Sequence, residues 1–280
     1  MEEYFFLFGL AGVWILFAMI QDLRFREVSN WLNFSLLGFA LAYRLFYSIF
    51  SGEYWFFVWG VLGFGVCFCL AMVFYYSRAF AGGDAKLLMS LGAVLPISSL
   101  RELVVLPLVF VFLLFFLGMV WSLVYSLVIV HKRRKLFEKE FGLFFGRSYW
   151  WFFFALLSVI FVGISFPLSW LKVILMLFML VLPFLFVYLK ALEGCLIRRV
   201  SYGKLTVGDW LFADVRVGRK VIEKSVHGLS VRDILLLRKA RKSVLIREGI
   251  PFVPAFLFAF SVMVCVWVTG WLSMLFSLLG

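Results

Sequence analysis

The sequence predicts an all-α polytopic membrane protein of about eight transmembrane helices, with a small α+β cytosolic insertion before the last helix. Three observations carry this fold class. Hydrophobic residues make up 65% of the 280 residues and charged residues 15%, against the roughly 25% charged of soluble domains. Several apolar runs reach the ~20 residues that a helical span requires. Alternating ten-residue strands are absent, which excludes a membrane barrel and leaves helices as the spanning element. Phe dominates the aromatic residues, with 37 of them, and reads as filling for lipid-facing and interhelical space.

In chain order the expected spans are 4–20, 31–50, 54–76, 87–100, 103–130, 149–167, 170–190 and 251–279. The fourth is short and ends at Pro96, so a tilted or partial span is expected there. A tight turn with a helix-breaking proline, Phe166-Pro167-Leu168-Ser169, joins the sixth and seventh. With the N-terminus outside, one membrane face receives the loops 21–30, 77–86, 131–148 and 190–250. All 27 Lys and Arg residues lie on that face except Arg44, Arg101 and Lys172. That asymmetry makes it the cytoplasmic face. The run HKRRKLFEKEFG reads as a basic cytoplasmic loop beside anionic lipid. The net charge of +12 is spread over membrane-adjacent loops and no nucleic-acid-binding fold accompanies it, so nucleic acid is not an expected partner.

Residues 193–249 are the soluble-looking stretch. LFADVRV and KVIEKSV read as two short strands with Gly218 near their turn. GLSVRDILLLRKARK reads as a helix with Ser230 as N-cap and Asp233 completing a capping box. SVLIREG reads as a returning strand. Asp209, Asp214 and Asp233 are expected as solvated surface or cap residues. A unit of this size has little core of its own and is expected to pack on the membrane domain.

The four cysteines are Cys67, Cys69, Cys195 and Cys265, with no CxxC pair, and three of them lie in apolar spans. They read as buried thiols and not as a disulfide framework or zinc site. His131 and His227 lack ligand-spaced companions. No metal and no cofactor is expected. The first apolar run lacks the flanks of a cleaved signal peptide and is expected to remain as a span.

Two aspartates break the apolar pattern. Asp22 ends the first run and opens DLRFREVSN; Asp84 lies in AGGDAKLLMSLGAVLP. A carboxylate at the edge of hydrocarbon is costly to keep and is a functional-site candidate. Both fall on the same expected membrane face. Two carboxylates can hydrolyse a peptide bond when one is charged and takes a proton from water while the other, protonated, donates to the carbonyl oxygen. Such a pair shares a proton, because like charges a few ångströms apart resist ionising together. Gly82 and Gly83, just before Asp84, permit a close approach of backbone. Lys86 can pair with Asp84 or with lipid phosphate, and Arg24 and Arg26 can act likewise near Asp22. On residue types alone, a proton or ion relay in a transporter is an equal reading of the two aspartates.

Three segments, in order, resemble the type IV prepilin peptidases and archaeal preflagellin peptidases, the GxGD membrane aspartic proteases. DLRFREVSNWLN resembles the first catalytic motif, with Asn30 after a basic turn and Ser29 where proline is common. GGDAKLLMSLGAVLP resembles the second, with Gly83 as its second glycine, Gly82 at the variable place and Ala81 where the first glycine stands. EGIPFVPAFLFAF resembles the closing helix. Residues 193–249 resemble the extra domain of archaeal members. The bacterial four-cysteine metal domain is missing.

The resemblance implies that Asp22 and Asp84 form the catalytic pair, supported by Gly82, Gly83, Lys86 and Asn30. It implies a division into a membrane catalytic domain over 1–192, a cytosolic α+β domain over 193–249 and a closing transmembrane helix over 250–280. It further implies a membrane endopeptidase that removes a short basic leader, at the cytoplasmic face, from a pilin or flagellin precursor, a single-span protein in the bilayer. Presenilin-like proteases fit less well, because Gln21 precedes Asp22 and no Pro-Ala-Leu sequence occurs. A proton-coupled transporter using Asp22 and Asp84 remains the alternative outside the proteases, although the chain shows no internal repeat.

Overall fold

Helix ends in this chain fall at left-handed residues, at prolines and at polar turns. The computed structural model describes residues 2–165, 169–218, 220–225 and 228–270. Its elements are α1 (Glu2–Phe25), α2 (Asn30–Ser51), α3 (Tyr54–Tyr76), α4 (Gly82–Gly92), α5 (Leu100–Lys132), α6 (Arg134–Arg147), α7 (Tyr149–Ser165), α8 (Trp170–Cys195), β1 (Ile197–Val200), β2 (Trp210–Leu211), β3 (Val215–Val217), β4 (Lys220–Ile222), α9 (Val231–Lys239), β5 (Val244–Arg247) and α10 (Val253–Val268). They fall into two compact units, Met1–Val124 with Pro251–Gly280, and Tyr125–Ile250. This partition differs from a break after residue 192, because α6, α7 and α8 group with the sheet region.

Among the described residues five helices, α1, α2, α3, α5 and α8, are long and apolar enough to cross a membrane, and α6 with α7 makes a sixth if that pair, bent by 61°, counts as one span. Three of the eight expected spans differ from these. The fourth is not a helix over 87–100: α4 starts at Gly82 and stops at Gly92, ahead of Pro96. Its 11 residues reach about 16 Å, half of the ~30 Å hydrocarbon core. The sixth, α7, has 17 residues. The last is helical over Val253–Val268, and its expected end at 271–279 lies outside the described residues, as do three of the four residues of the turn at 166–169.

The first unit gathers its buried side chains, including Leu7, Ile15, Leu36, Leu88, Phe110 and Phe256, into one core. α1 ends where Arg26 takes a left-handed φ of 60° and its N–H bonds back to the Asp22 carbonyl at 2.9 Å. α3 and α4 cross at glycines: a Cβ on Gly92 would lie 2.5 Å from the Gly63 carbonyl oxygen and 2.6 Å from Cys67 Cβ. Small residues of this kind let two helix backbones meet closely.

In the second unit the basic run is helical and not a loop. α6 carries Phe137, Phe141 and Phe145 at four-residue spacing, with successive rings 5.7 Å and 6.1 Å apart. On another face Arg134 pairs with Glu138 at 2.7 Å. The apolar stripe and the i,i+4 ion pair together favour helix over loop. Beyond α8 the expected hairpin is present: β3 pairs antiparallel with β4, turning at Gly218 with φ 60°. β5 returns as expected, between two strands the sequence did not announce, in the order β1-β5-β2. α9 opens with the complete Ser230–Asp233 capping box. Asp209 accepts from the Thr206 N–H at 2.8 Å and Asp214 from the Lys224 N–H at 2.7 Å. A separate core of Leu205, Leu211, Ile222, Leu229, Ile234, Leu237, Val244 and Ile246 lies beneath. Of the four thiols, Cys67 and Cys195 are buried, while Cys69 and Cys265 sit on exposed helix faces. His227 lies outside the described residues.

Candidate active site

Asp22 sits near the end of α1 with only 8% of its surface exposed. Its Oδ2 accepts a hydrogen bond from the Val253 N–H at 3.0 Å. Val253 is the first residue of α10, and N–H groups there have no partner inside their own helix. The Ile250-Pro251-Phe252-Val253-Pro254 sequence thus does more than open a helix, because it supplies a donor to the carboxylate. The sequence reading missed this contact. Its available signal was the proline at the start of α10, which marks a helix start and its free N–H groups.

Asp84 lies in the first turn of α4, where a helix favours negative charge. Part of its surface stays open. It belongs to none of the span-length helices. Burial of the carboxyl, with the Asp22 charge adding to it, pushes Asp84 up to about 7 against an opposing backbone hydrogen bond with Ala81. The Asp22 charge thus adds to burial in holding back the ionisation of Asp84.

The two motifs also touch through their neighbours. A Cβ on Gly83 would lie 3.4 Å from Cβ of Val28, a residue of the turn that follows Asp22. Gly82 and Gly83 are helical and not part of the loop expected over 77–86, so what Gly83 provides is close approach and not an unusual φ. Asn30 and Lys86 meet directly, with Lys86 Nζ donating to Asn30 Oδ1 at 2.6 Å. Among the described residues Lys86 makes no ion pair with Asp84. Gln21 Oε1 accepts from the Ser29 N–H at 3.0 Å and from its hydroxyl at 2.8 Å, which folds the turn of the first motif onto the end of α1.

Two further residues on α2 and α4 bind this arrangement. Asn33 is buried, with 1% exposed. Its Nδ2 donates to the Gly83 carbonyl at 3.4 Å, and its own carbonyl accepts from the Ser90 hydroxyl at 2.8 Å. Neither residue stood out in the sequence, although both share the α2–α4 faces that Asn30 and Lys86 mark.

Asp22 and Asp84 thus stand at the ends of two helices, one held by α10 and the other framed by α2. Residues 9–123 match the type IV leader peptidase family. The matched region contains both aspartates, Gly82, Gly83, Lys86 and Asn30, and it ends before the second unit begins. Three relatives named preflagellin peptidase agree with this assignment. The protein of Methanocaldococcus jannaschii is 36% identical over 89 residues, which are 32% of this chain and 38% of that one. That of Methanococcus maripaludis is 31% identical over 91 residues, again 32% and 38%. That of Methanococcus voltae is 29% identical over 134 residues, 44% and 55%. The chain therefore aligns with between about two fifths and just over half of these relatives' length. The match to the type IV leader peptidase family lies within the first unit, which also carries Asp22 and Asp84.

Proposed function

We propose that this protein is a membrane aspartic endopeptidase that removes the short basic leader from type IV pilin-like or archaeal flagellin precursors. The observation that carries the reading is the packing of Gly83, beside Asp84, against Val28 of the turn that follows Asp22, inside the segment that matches the leader peptidases. Asp84 is the acid: it holds the shared proton and donates it to the scissile carbonyl oxygen. Asp22 is the base: its carboxylate, steadied by the Val253 N–H, takes a proton from the attacking water. The tetrahedral intermediate then collapses, the leaving amine collects a proton, and the pair returns to its one-proton state. Lys86 and Asn30 hold α4 and the first-motif turn together beside the pair.

The N-terminus lies outside, and the acid pair and residues 193–249 lie at the cytoplasmic face, where the Lys and Arg excess puts them. Counting α7 and α10 beside the five long helices gives seven helical spans, with α4 as a partial span. Within this reading 1–192 with 250–280 is the catalytic membrane part and 193–249 the cytosolic domain.

The test is cleavage of a single-span precursor with a basic leader ending in Gly, co-reconstituted in liposomes with wild type, Asp22→Asn or Asp84→Asn. Asn keeps the size and removes the titratable proton. Leader release by wild type, with both variants folded and inactive, is expected. Normal cleavage by either variant would overturn the pair.

A further inference from the structure

Arg44 reads from sequence as a charge near the outer end of α2. The structure buries it completely, with 0% exposed. Its Nε donates to the Ala93 carbonyl, one terminal nitrogen to the Phe56 carbonyl and the other to the Leu95 carbonyl, each at 2.7 Å. The guanidinium also lies 4.6 Å from the centre of the Phe56 ring and 5.4 Å from that of Tyr4. A cation in an apolar core is costly unless its donors are filled. Here backbone oxygens fill them.

Two of those oxygens belong to the stretch just after α4. The helix stops at Gly92 and the chain continues irregularly, so its last carbonyls lack helical partners. Inside an apolar core such groups need donors from elsewhere. Arg44 supplies two, and the Tyr4 hydroxyl supplies a third to the Ile97 carbonyl at 3.1 Å. Room for the arginine stem comes from Gly60, where a Cβ would collide with Arg44 Cδ.

We propose that Arg44 is a positioning residue for Asp84: by gripping the C-terminal end of α4 from α2, it fixes the axial position of the short helix whose first turn carries the carboxylate. This rests on the reading of Asp84 as one of the catalytic pair. A helix of 11 residues moves as a rigid rod, so a slip at Ala93 is passed to Asp84. The ties nearer Asp84, from Asn33 to Gly83 at 3.4 Å and from Lys86 to Asn30 at 2.6 Å, hold the start of the helix through side chains, and Arg44 holds its far end to backbone.

Dicyclohexylcarbodiimide, which labels protonated carboxyls in apolar surroundings, is applied across pH to the full chain in detergent. Label at Asp84 is read by peptide mass, and the same proteins are assayed on the single-span precursor. In Arg44→Lys and in Gly60→Ala, which crowds the arginine without removing it, the labelling midpoint of Asp84 falls from about 7 toward the ordinary carboxylate range. The expected fall is about half a pH unit or more, as water reaches a displaced carboxyl. kcat drops about tenfold with KM nearly unchanged. Gly38→Ala, where a Cβ meets nothing within 4 Å, changes neither reading.

If Arg44 only holds the fold together, the variants lose folded protein while the remainder keeps the wild-type midpoint, and the proposal is overturned. Should Arg44→Lys fail to fold, Gly60→Ala decides alone. An active Asp84→Asn with shifted labelling in the Arg44 variant sinks the catalytic reading and leaves the positioning role. An inactive Asp84→Asn with unshifted labelling does the reverse.

Discussion

Around α4 the first unit is held by side chains reaching for backbone, whereas between residues 197 and 247 the second unit is held by backbone reaching for backbone. β1 pairs with β5 over four residues, from Ile197 with Arg247 to Val200 with Val244, and local caps close the helix beside them. Near α4 the side chains of Asn33, Arg44 and Ser90 do that work, Lys86 and Asn30 add a bond between side chains, and glycines replace side chains where α3 crosses. A regular ladder fixes a strand's register whatever surrounds it. An irregular helix end buried in apolar surroundings has no such ladder and needs a donor delivered by a distant residue. The difference teaches where function can be placed: in the proposed mechanism the carboxylate that keeps its proton sits on the element whose position is set by several separable side-chain ties.

The largest effect that tests this contrast is on chemistry. Asp84→Asn and Asp22→Asn should each lower cleavage by about 10²–10⁴-fold, the usual range for losing a general acid or base. Asp209→Asn and Asp214→Asn, which remove the charge but keep an acceptor oxygen for a single backbone N–H in the second unit, should leave cleavage within about twofold. A comparable loss from the second pair would erase the distinction between the two regions.

A pH profile sharpens the same point. Asp84 is pushed up to about 7 by burial and by Asp22, and in the proposed mechanism its protonated form is the working acid. As pH rises through that value the acid is lost, so kcat/KM should fall above about pH 7, approaching tenfold per unit. Raising the pH must weaken cleavage; a rate that kept climbing to pH 9 would assign the proton elsewhere.

Packing gives a smaller effect. Gly92→Ala drives a Cβ to 2.5 Å from the Gly63 carbonyl oxygen, and overpacking of this kind costs about 1–3 kcal/mol. Gly203→Ala, with nothing within 4 Å, should change stability by only a few tenths of a kcal/mol. Thermal unfolding in detergent, followed for both variants, checks the difference.

How much of this was legible in the sequence follows the same division. Hydropathy and local signals placed the long helices, the β3–β4 turn at Gly218, β5 and the Ser230 cap, because each depends on residues close in sequence. Asp22 and Asp84 were legible as isolated carboxylates against an apolar background, and the three motif segments pointed to the leader peptidases. The short α4, the burial of Arg44 and the N–H of Val253 at Asp22 were not legible, because each is decided by partners far along the chain, 231 residues away for Val253. β1 and β2 escaped notice for a related reason: they are four and two residues long and owe their strand conformation to β5. The basic run at 131–142 was read from its charge, while its Phe spacing at 137, 141 and 145 carried the helix.

The smallest expected effect lies in the second unit. Ser230 Oγ accepts from the Asp233 N–H at 3.3 Å, and Asp233 Oδ2 accepts in return from the Ser230 N–H at 3.0 Å. All these atoms are exposed, so water can replace part of what Ser230→Ala removes. The cost should be about 1 kcal/mol, or roughly fivefold faster opening of the first amides of α9 in hydrogen exchange. The capping box is local, so the change should stop within the helix it starts: the basic limb of the cleavage profile stays near 7 and labelling of Asp84 is unaltered. If Ser230→Ala moved that limb, the ladder-built region would take part in setting the acid, and the contrast between the two regions would fail at its weakest perturbation.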